Sequence, residues 1–576
     1  MDSLSIARAL REVSQYLQLK GDDFYKTRAY DLGADRMAGF SGDLDTLVRE
    51  SRLTELPNIG PALAEKITEL QRTGSLRLLE QLRAQFPPSI LELLRLPDLG
   101  AKKAAALHKA LGIGSIEELE QACRDQRVRG LKGFGERSEQ KILAGIEQYR
   151  SAHARRRLGD VLPVARALLS EVRAAPGVVR AEVAGSVRRW CELVSDVDIV
   201  ASAPEAAPVL AVLARQSGVR EVLGQGDSKC SVRMDDGLQV DLRVLPDEDY
   251  ATALHHFTGS KAHHVRLRGR ARDLGLTISE WGAFRGEEKV PVPTEEALYA
   301  LLGMSYVPPE LREDVGEFEA ALAGTLPADL LAPSAVQGVV HSHTTWSDGK
   351  SSLEAMARAA AAMGLRYLTV TDHSAAAAYA GGLDEIRVRS QWEEIARVQE
   401  AVPAVRLFKG LEVDILEDGA LDLSDRLLAE LDVVIASVHV RHGQDQAAMT
   451  ARVLKALDHP CTDVLGHPTG RLLQKRDPSP LDMAVVVERA AKRGVLLEVN
   501  GNPDRMDLSA EHVRLALRAG ARLVVSADAH STLALQNVAF AIHTARKGGA
   551  RTSDVLNTRG PDEFLAEIRR RRTGGG

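Results

Sequence analysis

Apolar residues recur at three- and four-residue spacing through roughly the first 150 positions, broken at turns that contain Gly or Pro. That period predicts an almost wholly helical segment. From about 160 to 320 the pattern is mixed. Short β-rich runs (VVRAEVAG, DVDIVAS, CSVRM, LQVDLRVL, LTISEWGAF) alternate with helical stretches such as 205–217 and 261–274. Residues 321–337, ALAGTLPADLLAPSAVQ, have the Pro/Ala/Leu character of an interdomain connector. From about 338 to 570 buried-looking strands (GVVHSH, YLTVTDH, RLFKGLEVDI, DVVIASVH, DVLGH, VLLEVN, RLVVSADAH) alternate with helices. Such alternation predicts a parallel α/β sheet or barrel. The closing RRRRTGGG, from Arg569, reads as a solvated tail.

Length and composition narrow this picture. At roughly 150 residues per domain, 576 residues make about four domains, and 44% hydrophobic with 27% charged residues excludes wholesale disorder. The net charge of −6 carries no global signal for nucleic acid. Positive charge is local instead. Residues 101–160 hold an excess of five basic side chains, and 261–272 hold Lys261, Arg266, Arg268, Arg270 and Arg272 with no acid among them. Such stripes can bind phosphate on an acidic chain. The four cysteines are scattered without a CxxC pair, which reads as reduced, intracellular and without a thiolate metal site. No apolar run of 18 residues occurs, and the N-terminus is an amphipathic helix pattern, so a cytoplasmic protein is expected.

Three similar segments punctuate the helical third: LPNIG (56–60), LPDLG (96–100) and LKGFG (131–135). A helix that ends in such a turn and continues into another helix is a helix-hairpin-helix pattern. Its glycine (Gly60, Gly100, Gly135) lets the backbone approach a phosphate, and the next helix start offers N–H groups to it. Lys66, Lys102 and Lys103 stand nearby. One copy reads equally well as a bundle connection. Three copies point to sequence-independent contact with duplex DNA.

In VAGSVRRWCELVSDVDIV (183–200), Asp196 and Asp198 are two apart on a β-type sequence, so both carboxylates project from one face. Asp241 in LQVDLRVL, on another strand, can complete a cluster of three. Such a cluster repels itself unless cations are present. Two Mg²⁺ ions there would activate a 3′-hydroxyl and stabilise departing pyrophosphate. Gly185-Ser186 ends a strand and opens a helical turn, which suits a triphosphate, and Arg189 is one turn on to pair with it. An isolated D-x-D is usually surface charge; its company here makes nucleotidyl transfer the better reading.

Ten of the sixteen histidines lie after residue 338. His341 and His343 end GVVHSH, Asp348 follows, His373 ends YLTVTDH and Glu412 ends LFKGLE. His439 ends DVVIASVH, His467 ends DVLGH, and Asp528 with His530 ends LVVSADAH. Strand C-termini of a (β/α) barrel converge on one mouth. Nine such groups would be costly to bury unpaired, and together they hold more than one ion. Mixed imidazole and carboxylate ligands suit Zn²⁺, Mn²⁺ or Fe²⁺ better than Mg²⁺. His442, His459, His512 and His543, off these positions, read as structural.

The order GSVRR, SDVD, VDLRV, HHFTGSKAHHVRLRGRARDLG resembles the palm and thumb of family X DNA polymerases, and the helical third resembles their lyase-type and fingers domains. The resemblance covers residues 1 to about 320. It implies that Asp196, Asp198 and Asp241 are the metal-binding triad and that Gly185, Ser186 and Arg189 meet the triphosphate. Phe257 and Gly259 would lie against the incoming sugar, and Lys261, His264 and Arg268 would face the new base pair or template. Lys66 falls at the position of the Schiff-base lysine of 5′-deoxyribose-phosphate lyases, a chemistry that needs a neutral amine. Carbonyls around Leu56, Ile59, Leu96 and Leu99 would hold Na⁺ or K⁺. The chain departs from the family at His256, Ser195, Ala62 and Trp190-Cys191.

HSHTTWSDG, TDH, GLEVD, SVH, GHP and SADAH resemble the polymerase-and-histidinol-phosphatase (PHP) domain, a metal-dependent phosphoesterase, over about 335–570. By similarity one metal takes His341, His343, Glu412 and Asp528. A second shares Glu412 with His439 and His467, and a third takes Asp348, His373 and His530.

The fold class expected is therefore multidomain. A lyase-like helical domain (1–80) and a fingers-like one (81–155) precede an α/β nucleotidyltransferase palm (156–250), a thumb (251–320), a linker (321–337) and a PHP-type (β/α) barrel (338–570). The function expected is gap filling in base-excision and strand-break repair, with Mg²⁺ at the palm and a 3′–5′ exonuclease using Mn²⁺ or Zn²⁺ in the barrel. The partners expected are gapped or nicked duplex DNA and deoxynucleoside triphosphates, with no membrane, for a monomer. Two other readings stay open: a template-independent nucleotidyltransferase, and a DNA end-binding scaffold with a decayed polymerase site.

Overall fold

The computed structural model describes residues 3–38, 44–87, 89–96, 99–153 and 155–573. The chain divides into two compact units. One comprises Met1–Ala154, Asp236–Leu238 and Phe284–Glu288; the other comprises Arg155–Asp235, Gln239–Ala283 and Lys289–Gly576.

Residues 3–153 are helical where described. Helix α1 (Ser3–Lys20) buries Ile6, Leu10, Val13 and Leu17, one stripe at spacings of four, three and four, and α2 (Phe24–Ala38) follows it. The three hairpins share one construction. A turn closes by an N–H to carbonyl bond between its fourth and first residues: Ile59 to Leu56 (3.1 Å), Leu99 to Leu96 (3.3 Å) and Phe134 to Leu131 (2.9 Å). A glycine follows, and then α3 (Pro61–Thr73), α4 (Ala101–Leu111) or α5 (Glu136–His153). The third turn residue has φ of 67° at Asn58 and 90° at Gly133, the geometry of a type II turn. Pro97 and Asp98 of the second copy lie outside the described residues. Ile59, Leu99 and Phe134 are buried and pin each turn to the helical core.

The second unit opens with α6 (Leu158–Ala174) and a five-stranded sheet. Its strands are β1 (Arg180–Val183), β2 (Asp196–Ser202), β3 (Val219–Gln225), β4 (Lys229–Met234) and β5 (Gln239–Leu245), in the order β1-β2-β5-β4-β3. One helical turn, α7 (Gly185–Arg188), joins β1 toward β2. Helices α8 (Tyr250–Thr258), α9 (Lys261–Asp273), α10 (Glu295–Leu301) and α11 (Glu317–Ala323) follow.

Seven parallel strands come next, in chain order across one sheet: β6 (Gly338–Val339), β7 (Tyr367–Val370), β8 (Arg406–Asp414), β9 (Val433–Ser437), β10 (Val464–Leu465), β11 (Leu496–Asn500) and β12 (Leu523–Ser526). A parallel bridge between Ser342 and Ala529 brings the first segment beside the last and nearly closes a barrel. The strands are buried on both faces, which is why they read as unbroken apolar runs.

The connector and the end of the chain both pack against the barrel, and only the second corrects an expectation. The 321–337 connector is docked, because its apolar centre finds the barrel surface: Leu331 is fully buried, its N–H donates to the Ala550 carbonyl at 2.9 Å, and Arg546 donates to its carbonyl at 2.7 Å. The arginine-rich end is no solvated tail over its described residues. It completes helix α13 (Pro561–Arg572), whose Phe564 packs with Tyr367 and Phe408 under the barrel. Arg571 (2.7 Å) and Arg572 clamp the wholly buried Asp463, so their charges are paired.

The palm and thumb segments also grip the barrel. Helix α12 (Val538–Lys547) presents His543, on which Trp190 stacks at 3.7 Å, and Glu310 accepts from His543 (2.8 Å) and Arg546 (2.7 Å). Arg471 makes a two-pronged pair with Glu192, at 3.1 and 2.6 Å.

Candidate active sites

Strands β2 and β5 run parallel with Asp198 opposite Asp241 and Asp196 opposite Gln239. The two-residue period of each strand therefore places all three carboxylates on one face. Burial, with Asp196 and Asp241 beside it, pushes the Asp198 carboxyl up to about 7, and burial with Asp241 raises Asp196. Asp241 is also partly buried, but bonds from Lys229 (2.9 Å), Ser231 and Gln239 (3.2 Å) outweigh this and hold it below the ordinary range. Three converging acids, offset by Lys229 and Arg243, fit divalent cations with hard oxygen ligands.

The turn above them is built for close approach. Gly185 has φ of 61°, and a Cβ there would lie 2.4 Å from Asp198 Oδ2, so any other residue would strain the turn and push on that carboxylate. Ser186 occupies the turn that starts at Gly185. Arg189 turns to the thumb: its Nε donates to Glu313 (3.1 Å) and its Nη1 to the Thr258 carbonyl (2.5 Å), one residue before Gly259. Lys547 of α12 donates to the Arg189 carbonyl (3.0 Å) and to Glu313 (2.5 Å).

Phe257 is half-buried beneath the Arg243 guanidinium, 4.3 Å from its ring centre. Lys261 is exposed and Arg268 half-buried. The helical period of α9 sets His264 with Leu267 and Ala271 on the packed face, where its ring meets His256 edge-on at 4.7 Å. Burial there, followed by the neighbouring His256, depresses it to about 3.

At the barrel mouth Glu412 is the hub. Its Oε1 lies 2.8 Å from His467 Nε2 and 3.2 Å from His439 Nε2; its Oε2 lies 3.0 Å from His373, 3.4 Å from His341 and 3.6 Å from His343. Ligand atoms converge in three groups: His343, Asp348, His373 and His530; His341, His343 and Asp528; His373, Glu412 and His439. All nine expected residues are at one mouth, but the grouping differs from the expected one. His343 and His373 each join two groups, and His467 touches Glu412 without joining a group. Among the described residues, buried His341 Nε2 and both His343 ring nitrogens have no well-aligned hydrogen-bond partner. Orphaned lone pairs aimed at a common space are what bound metal ions would satisfy.

Electrostatics fit the same reading. Glu412 and Asp528 are buried, yet the surrounding histidines hold both carboxyls well below the usual range. Against the penalty of burial, Glu412 and Asp414 raise His439 to about 10, and Asp348 with Asp528 raises His530 to about 9. His343, buried beside His373, falls to about 3.

Some functional groups were missed in the sequence. Glu498 on β11 accepts from His341 Nδ1 at 2.7 Å and from the His467 N–H at 2.6 Å, and Asp414 lies 3.1 Å from His439 Nδ1. Asn500 joins Glu498 to Asp528, at 3.2 Å to each. An acid inside an apolar parallel strand, as in VLLEVN, was the available signal.

In the helical unit, Gly60 and Gly100 have φ of −80° and −72°, which any residue adopts, and a Cβ at Gly60, Gly100 or Gly135 would meet nothing within 4 Å. Among the described residues nothing requires glycine there. Lys102 is exposed, Lys103 half-buried, and Lys66 half-buried with Glu65 at 3.8 Å. The Leu56 and Leu96 carbonyls accept the turn bonds described above.

Comparison with known proteins follows this layout. Family models match for a helix-hairpin-helix domain (1–76), a SAM-like helix-hairpin-helix tandem (90–148), a DNA polymerase beta thumb (253–313) and a PHP domain (340–502). The chain is 36% identical over 574 residues to the DNA polymerase/3′-5′ exonuclease PolX of Bacillus subtilis (strain 168), covering 99% of this chain and all of that relative. A probable phosphatase of Thermoanaerobacter sp. (strain X514) is 28% identical over 235 residues, 38% of this chain and 89% of the phosphatase. Another, of Syntrophotalea carbinolica, is 28% identical over 217 residues, 36% and 85% respectively.

Proposed function

The chain belongs to the family X DNA polymerases that carry a C-terminal PHP domain, and on that premise we propose that its two acidic sites oppose each other at DNA 3′ ends, the palm adding nucleotides and the barrel removing them. It is a DNA nucleotidyltransferase and a 3′–5′ exonuclease. The observation that carries the division of labour is the contrast in donors: three carboxylates on the palm sheet, five imidazoles around Glu412 in the barrel.

Asp196, Asp198 and Asp241 hold Mg²⁺, whereas the barrel groups hold up to three ions of Mn²⁺ or Zn²⁺. Divalent ions at either site supply positive charge to the attacking and leaving oxygens. In the palm, Gly185 and Ser186 bind the triphosphate and Arg189 pairs with it, while Phe257 and Gly259 meet the sugar and Lys261 and Arg268 the template. In the barrel, Glu498 and Asp414 accept the Nδ1 protons of His341 and His439. That fixes each tautomer and leaves Nε2 turned toward the shared space.

The hairpin glycines Gly60, Gly100 and Gly135 let DNA phosphates approach, helped by Lys102 and Lys103, and nearby carbonyls hold Na⁺ or K⁺. Binding is sequence-independent and suits nicked or gapped duplex, on which the enzyme acts as a cytoplasmic monomer in base-excision and strand-break repair. Lys66 serves a 5′-deoxyribose-phosphate lyase step.

One labelled gapped duplex tests the division. Asp196→Ala with Asp198→Ala should abolish extension and leave Mn²⁺-dependent cleavage; His341→Ala with His343→Ala should do the reverse. Loss of both activities from either folded variant refutes two separate sites.

A further inference from the structure

Tyr379 stands at the barrel mouth with 69% of its surface exposed. Its ring centre lies 6.2 Å from that of His373 and 6.4 Å from that of His439, two members of the metal-ligand groups. The loop that carries it is rigidly built. The Leu383 N–H bonds the His373 carbonyl at 2.8 Å, and a Cβ on Gly382 would fall 1.9 Å from the Ser374 carbonyl oxygen, so the neck is closed tightly. Ala377 and Ala380 are buried on either side of the tyrosine, the Ala376 N–H is held by Asp422, and Arg387 caps the carbonyls of Gly381 and Gly382. A loop pinned at both ends and on both flanks presents one bare aromatic face beside the metal ligands. Such a face, held in advance, binds a planar partner with little further ordering.

A second feature points to the other half of a nucleotide. Arg505 places Nε 3.6 Å from Asp528 Oδ2, yet its enclosed Nη1 has no hydrogen-bond partner among the described residues. An enclosed guanidinium N–H beside the metal groups lacks an acceptor, and a phosphate oxygen would supply one.

We propose that the barrel mouth recognises an unpaired 3′-terminal nucleotide through its base, Tyr379 stacking on that base while Arg505 takes a phosphate oxygen. The inference rests on the exonuclease reading of this site and adds to it a contact with the terminal base. Stacking of one base on an aromatic side chain is worth roughly 1–3 kcal/mol, so loss of the ring should weaken binding by about 5- to 150-fold.

The test uses the full chain. Binding is read in EDTA from the quenching of 2-aminopurine placed at the 3′ end of a short single strand. Mn²⁺-dependent excision is read from the same strand and from one ending in a base-free tetrahydrofuran nucleotide. Tyr379→Ala should lose the quenching and raise KM on the base-bearing end about 5- to 150-fold, with kcat little changed. Tyr379→Phe should keep both. On the base-free end Tyr379→Ala should match the wild type. Equal losses on the two ends, or quenching that survives Tyr379→Ala, would overturn the proposal. If the wild type cleaves neither strand, the exonuclease reading of the barrel fails on its own, while the quenching arm still decides whether Tyr379 stacks on a base.

Discussion

The palm and the barrel solve the same problem, holding like charges together, with opposite means. In the palm three carboxylates crowd one sheet face with only Lys229 and Arg243 to offset them, so burial and its neighbours hold Asp198 well above the ordinary carboxylate range. In the barrel the charge is balanced internally, since each acid is ringed by imidazoles and each oriented imidazole is braced by a further acid. The support differs as well. Glu498, Asp414 and Asn500 belong to the barrel's own strands. Arg189 of the palm leans on Glu313, which is held by Lys547 from the barrel. The barrel site is self-sufficient, and the palm site borrows a brace.

That contrast can be broken in four places. The largest effect is expected at the hub: Glu412→Gln should remove Mn²⁺-dependent cleavage by more than the roughly 10–100-fold typical of losing a group that merely orients a ligand, and primer extension in Mg²⁺ should continue. Extension that falls in parallel would show that the barrel site is needed by the palm. Next, Glu498→Gln should weaken metal binding in the barrel by about 10–100-fold, because His341 loses its orienting acceptor. Titration of Mn²⁺ by calorimetry reads this directly, and an unchanged affinity would make Glu498 a bystander.

Third, Lys547→Ala should lower extension by roughly tenfold, the value of one partly buried charged hydrogen bond, with cleavage unaltered and partial rescue by Lys547→Arg. Equal loss of both activities would instead indicate a general loosening of the fold. The fourth effect is on stability in acid and leaves both activities at neutral pH untouched. Although burial opposes it, His543 and Arg546 hold Glu310 at about 2, below its ordinary value. Its folded pKa is depressed, so its contribution to stability is complete above the unfolded carboxylate range and is lost as pH falls from there toward 2. The amount is on the order of 2–3 kcal/mol. Glu310→Gln should flatten that acid limb in a urea midpoint series between pH 5 and 2.5.

Much of this architecture is written in local patterns. The period of α1, the triplicated L-x-x-[ILF]-G turns and the unbroken apolar strands after residue 338 are each readable because short-range spacing decides which face is buried. The nine metal-ligand candidates were legible because eight lie at the ends of strand-like runs and Asp348 in the loop after one of them, and strand ends share a mouth whatever the details of closure. The aspartate triad was legible because a two-residue period keeps Asp196 and Asp198 on one face.

What needed the tertiary structure was every question about partners distant in sequence. His264 lies in a basic, surface-like stretch, yet packing of α9 buries it. The arginines at the end of the chain look solvated until Asp463, more than a hundred positions earlier, is found beneath them. The grouping of ligands around Glu412, the bracing by Glu498 and the docking of residues 321–337 depend on which strand ends and surfaces meet. Periodicity determines which side of an element faces inward; only the assembled fold decides what waits there, because the energy of a buried charge or imidazole is set by neighbours that the local sequence does not contain.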